Sequence, residues 1–156
     1  VPTSCELQGT VRTFTTEVLD MIESRMREAA EHTCAAHQCN VEFDFHRNYP
    51  PTINTPFEAD FVRKVLTDVV GEANVKPQEP TMGGEDFAYM LQARPGAYFF
   101  IGNGEGAHRM HGHGEGPCTL HNASYDFNDE LIPLGATAWV RLAEDWFAAA
   151  AAADAN

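Results

Sequence analysis

Residues 118–129 read Cys118-Thr119-Leu120-His121-Asn122-Ala123-Ser124-Tyr125-Asp126-Phe127-Asn128-Asp129, and three more histidines, His108, His111 and His113, precede them in a glycine-rich loop. An imidazole set between an apolar anchor (Leu120) and a polar turn (Asn122, Ser124) can be aimed at a metal or at a reacting group. Cys118 and His121 have a ligand-like spacing. One Cys-x-x-His without a second ligand pair is a weak zinc signal. Cys118 as a nucleophile beside His121 is a further, weaker option. His108, His111 and His113 read more simply as solvated loop residues.

A second group is Gly83-Gly84-Glu85-Asp86. These residues open a helix, and backbone N–H groups at a helix start favour anions such as a substrate carboxylate. Plain capping by Glu85 and Asp86 accounts for them equally well. Arg12 falls on the polar side of an alternating segment, where a guanidinium can grip a carboxylate or simply face water. No Ser-His-Asp arrangement and no phosphate loop stand out.

These residues need elements to hold them. Residues 5–14 alternate apolar and polar and predict a half-buried strand. Thr15 caps a helix carrying the stripe Val18, Ile22, Met26, Ala29 and Ala30. Residues 41–47 alternate again, with Val41, Phe43 and Phe45 on one side. Together they predict a βαβ unit covered on one face. Pro50-Pro51 marks a boundary, with residues 49–53 as a linker. Thr55-Pro56-Phe57-Glu58 starts a second helix that ends at Gly71. The Gly83-Gly84 turn leads into a short helix broken by Arg94-Pro95-Gly96. Residues 97–102 are apolar on both faces and predict a buried central strand. A helix from about Asp129 to Ala150 comes last, with a fraying alanine-rich tail.

The net charge of −13 argues against nucleic acid and against anionic membranes as partners. An anionic substrate would need local arginines, and Arg12, Arg47, Arg94 and Arg109 are those near loops or polar segments. No apolar run approaches the ~20 residues of a membrane span. Four scattered cysteines, Cys5, Cys34, Cys39 and Cys118, read as free thiols, and the expected location is cytoplasmic.

Four ordered blocks carry a resemblance. They are residues 6–14 (Glu6-Leu7-Gln8-Gly9-Thr10-Val11-Arg12-Thr13-Phe14), residues 82–87 (Met82-Gly83-Gly84-Glu85-Asp86-Phe87), Gly102-Asn103-Gly104, and Leu120-His121-Asn122 through Asp129. In this order and spacing the chain resembles the C-terminal part of a zinc-type amidohydrolase of the hippurate hydrolase and N-acyl-amino-acid amidohydrolase kind. These enzymes belong to the wider aminoacylase and carboxypeptidase metallopeptidase group.

The resemblance implies an α/β fold in two parts. Residues 1–48 would be the βαβ second half of a lid and dimerisation domain. Residues 54–156 would be the C-terminal part of the catalytic domain. It implies His121 as a metal ligand, Arg12 as a holder of the substrate carboxylate, and Gly83 and Gly84 as pocket lining. The cofactor implied is a divalent metal: zinc, or manganese, cobalt or nickel. The reaction implied is attack of metal-held water on the amide of an N-acyl amino acid, and the assembly a homodimer through the lid. The turn after His121 usually reads Asn-Pro in that family and here reads Asn122-Ala123. The family's other ligands and its general-base glutamate have no counterpart in this chain. The expectation is therefore that these 156 residues alone hold no metal tightly and are inactive. The alternative is a non-catalytic acidic metal-binding or interaction module using the loop from His108 to His121.

Overall fold

The computed structural model describes residues 2–104 and 120–154. Its helices begin where side-chain chemistry provides a cap. Thr15 has extended backbone, and its hydroxyl accepts the Val18 N–H at 3.2 Å, which starts α1 (Thr16–Ala36). The helix closes with two bonds, Gln38 N–H to Ala35 and Cys39 N–H to Cys34, around Gln38 at φ 57°. That is a Schellman closure with glutamine where glycine is usual. Pro56, free of any need for a bonded N–H, opens α2 (Pro56–Val70). Gly71 ends it at φ 82° and leads into a 3-10 turn, Glu72–Asn74. The short α3 (Phe87–Ala93) stops at Arg94, before Pro95. The last helix, α4 (Leu131–Asp154), is capped by Asn128, whose Oδ1 accepts the Glu130 N–H at 3.2 Å. It runs on through the alanine tail rather than fraying there, as suits the strongest helix former.

The expected α/β class is overturned. The described residues form helices and no strand. Residues 5–14, 41–47 and 97–102 are irregular instead of three strands. A strand is defined by a hydrogen-bonded neighbour, and alternation specifies only an extended backbone with two faces. None of the three segments finds a ladder partner among the described residues. Leu7, on the intended inner face, is 94% exposed, and Phe100, in the intended central strand, is 61% exposed.

Residues 41–47 are instead tied to α1 by side chains. Arg47 reaches Asp20 at 2.6 Å and Glu23 at 2.6 Å. The Arg27 guanidinium lies 4.7 Å from the centre of the Phe43 ring. Near residue 98, Asn54 does the work of a missing neighbour. Its amide donates to the Tyr98 carbonyl and its oxygen accepts the Tyr98 N–H, both at 2.8 Å.

The described residues fall into two compact units: 1–55 with 78–98, and 56–77 with 99–156. In the first, Ala88 of α3 is buried, and Phe87 packs on Tyr98 with ring centres 5.7 Å apart. A Cβ on Gly96 would lie 3.1 Å from Leu91, so the chain passes α3 closely there. In the second, α2 packs on α4. Val65 and Ala138 are 1% and 2% exposed, and Phe57 and Phe61 meet the edge of Trp146. Many large apolar side chains stay open to solvent, among them Phe57, Ile132, Trp139 and Phe147 of the second unit.

Candidate functional site

His121 sits in a turn over 120–124 of the second unit, exposed, with backbone φ 66°. A left-handed backbone on a non-glycine residue costs ~1–3 kcal/mol and persists only when neighbours enforce it. Asn122 supplies a local restraint: its Oδ1 accepts the Ser124 N–H at 2.9 Å and its carbonyl accepts the Tyr125 N–H at 3.0 Å. Ser124 is buried. Further along, the Asn103 amide donates to the Asp126 carbonyl and its oxygen accepts the Asn128 N–H, both at 2.9 Å. Asn128 Nδ2 returns a bond to the Asn103 carbonyl at 3.2 Å. At ~0.5–1.5 kcal/mol net per bond, these five bonds together are of the size needed to offset the strain at His121.

This arrangement presents an imidazole to solvent from a fixed turn. Among the described residues no three His, Cys, Asp or Glu side chains cluster as ligands. A catalytic metal takes about three protein ligands, so the described residues fit one contribution to such a site and no more. His108, His111, His113, Arg109 and Cys118 lie outside the described residues.

Gly83, Gly84 and Arg12 belong to the first unit. Gly83 and Gly84 are exposed, and a Cβ on Gly84 would come within 3.2 Å of the Tyr49 ring. That close approach favours glycine at position 84. Next to them Glu85 is engaged rather than free. One carboxylate oxygen accepts the Phe87 N–H at 3.2 Å and the other accepts the Tyr98 hydroxyl at 2.9 Å. These bonds, the Phe87 one foremost, hold the Glu85 carboxyl below its usual range, and the bond to Glu85 pushes the Tyr98 phenol up. Arg12 is exposed and extends from an irregular segment. Arg47 is taken up by Asp20 and Glu23, which raise its pKa, so it offers little to an anionic substrate. An open cleft of about 390 Å³ in the same unit is lined by Phe14, Pro50, Pro51, Ile53, Ala88 and Leu91. It includes none of Arg12, Gly83 and Gly84.

Residues 3–145 match the profile of peptidase family M20/M25/M40. The chain belongs to that family. Among similar proteins, an IAA-amino acid hydrolase (ILR1-like 4) of Arabidopsis thaliana is 30% identical over 142 residues, covering 88% of this chain and 31% of the relative. Thermostable carboxypeptidase 1 of Saccharolobus solfataricus is 33% identical over 146 residues, 92% of this chain and 34% of that one. The putative amidohydrolase YhaA of Bacillus subtilis is 32% identical over 127 residues, 81% of this chain and 30% of that one. The chain thus spans about a third of the length of these relatives. No solved structure matches it.

The structure also brings forward residues that spacing alone left silent. Asn54, Asn103 and Tyr98 carry bonds that hold the loops, yet nothing in their immediate sequence marks partners 44, 23 and 13 positions away. Gly102-Asn103-Gly104 was the one visible hint: a polar residue between two glycines at the end of an apolar run. Cys5, Cys34 and Cys39 are free thiols. Among the described residues no helix is long and apolar enough to cross a membrane.

Proposed function

We propose that this chain is the C-terminal third of a metal-dependent amidohydrolase that cleaves the amide bond of N-acyl amino acids, hippurate-like substrates included. The observation that carries this reading is the M20 match across residues 3–145, together with relatives whose names specify amide or peptide hydrolysis. The wide exposure of aromatic and aliphatic side chains supports it, because apolar surface on this scale is ordinarily covered by further protein.

In this reading residues 1–48 are half of a lid domain, 49–53 a linker and 54–156 part of the catalytic domain. His121 contributes one ligand to a divalent metal: zinc, or manganese, cobalt or nickel. Arg12 binds the substrate carboxylate through its planar fork. Gly83 and Gly84 line the pocket without a side chain to obstruct it. The protein works in the cytoplasm as a homodimer joined through the lid. No bond-making step is assigned to the described residues. Their work is to hold one imidazole and one guanidinium in place.

The test is a hydrolysis assay of the full-length polypeptide on hippurate and on N-acetyl amino acids. Wild type should release the free amino acid, and Arg12→Ala should raise KM more than it lowers kcat. An Arg12→Ala variant with wild-type KM would remove Arg12 from the substrate site.

A further inference from the structure

The end of α1 brings two thiols together. In the Schellman closure there, Gln38 takes the left-handed position, with φ 57°. The Cys39 N–H donates to the Cys34 carbonyl at 2.9 Å, and the Gln38 N–H donates to the Ala35 carbonyl at 3.1 Å. Such a six-residue closure sets the side chain of its first residue against that of its last, a contact that is ordinarily apolar. Here the two residues are Cys34 and Cys39. Beyond the closure the chain runs back along the helix, where Phe43 meets Arg27 and Arg47 reaches Glu23 and Asp20. Backbone bonds hold the reversal at its apex, and side chains hold it farther down. Cys34 is half-buried and Cys39 is exposed, both as free thiols. The Cys39 Sγ–H donates to the His37 carbonyl at 3.5 Å, a weak bond that rotation about one side-chain torsion releases.

We propose that Cys34 and Cys39 are a reversible dithiol, a modification site at the end of α1 that a small-molecule disulfide of the glutathione type oxidises. The backbone suits the product. A disulfide needs Cα atoms about 4.4–6.8 Å apart with Cβ atoms facing each other. With the Cys39 nitrogen 2.9 Å from the Cys34 oxygen, standard bond lengths keep the two Cα atoms within about 6.8 Å of each other. Cys39, the exposed thiol, enters first. Its thiolate attacks one sulfur of the small disulfide, a mixed disulfide forms at Cys39, and one small thiol leaves. The Cys34 thiolate then attacks the Cys39 Sγ, and the second small thiol leaves. Two protein thiols become one disulfide, one small disulfide becomes two thiols, and the cysteine protons end on those thiols. The product fastens the last turn of α1 to the returning segment. The site is independent of the role of His121.

The test is mass spectrometry of the full-length protein after equilibration with reduced and oxidised glutathione. Free thiols are blocked with iodoacetamide and the protein is digested with trypsin. Cleavage after Arg27 and Arg47 releases residues 28–47, which hold Cys34 and Cys39 and no other cysteine. An internal disulfide leaves this peptide two hydrogens lighter and unblocked. Because the fold holds the thiols together, the equilibrium constant for that form should be at least about tenfold higher in the folded protein than in urea. Cys5→Ser should leave it unchanged. Cys34→Ser should stop the reaction at a mixed disulfide on Cys39, formed faster than the one on Cys34 in Cys39→Ser. Equal constants in the fold and in urea, glutathione on both cysteines with no internal disulfide, or loss of the disulfide in Cys5→Ser would overturn the proposal. A faster mixed disulfide on Cys34 would overturn the assignment of Cys39 as the entry thiol.

Discussion

Glu85 shows how little of a carboxylate's behaviour is set by its own identity. It stands beside Asp86 at the start of a short helix, yet it is shaped by Phe87 and by Tyr98, thirteen positions away. Its folded pKa is lowered, first by the Phe87 N–H and then by the Tyr98 hydroxyl. The share of stability it carries is therefore complete above the ordinary glutamate range and is lost as pH falls through the lowered value. Tyr98 runs the other way. Its raised pKa means that its share is complete below the ordinary phenol range and disappears as pH rises through the raised value. Tyr98→Phe should bring the Glu85 titration part of the way back, since the Phe87 bond remains. Carbon-13 NMR of the Glu85 carboxyl across acid pH measures this, and a titration unchanged by Tyr98→Phe would mean that the bond does not form in solution. At His121 the left-handed backbone yields a second prediction: His121→Gly should add up to ~1 kcal/mol of stability, relieved strain less the entropic cost of glycine, and so raise the melting temperature. A lower melting temperature would argue that the imidazole itself makes stabilising contacts.

At the scale of elements, helices were readable because their determinants are local. Thr15 caps α1 from three residues away, Pro56 opens α2 and Gly71 closes it. Thr15→Ala should cost about 1 kcal/mol and reduce helical circular dichroism, whereas Thr15→Asp should cost little. An unchanged spectrum and melting curve for Thr15→Ala would show that α1 is set by its packing on residues 41–47 instead. Strands were misread for the complementary reason. The alternation in residues 5–14 and 41–47 is real, but a strand needs a partner that alternation does not name. What residues 41–47 found was α1, through Arg47 and Arg27. The candidate site divides in the same way. His121 is marked in the sequence by its flanking residues, and the Gly-Gly turn by its composition. The Asn103 bonds are not, because their partners lie more than twenty residues on and are backbone groups, which every residue has.

For the whole molecule, the described residues of this acidic chain leave much apolar surface uncovered, including Leu7, Met21 and Val41 within residues 1–48. Extended segments with unpaired backbone recruit other chains. Self-association through residues 1–48 should show in sedimentation as a concentration-dependent rise in mass, and a strict monomer at high concentration would count against it. We propose that this chain, a member of the M20 family, supplies through His121 an imidazole on which amide hydrolysis by the full-length protein depends. The most direct measurement compares N-acyl-amino-acid hydrolysis by the full-length protein before and after His121→Ala. Because His121 is exposed, the substitution should shift stability by less than ~0.5 kcal/mol. The account predicts hydrolysis falling to background in a variant that melts like wild type. Hydrolysis that persists in the folded variant would contradict it.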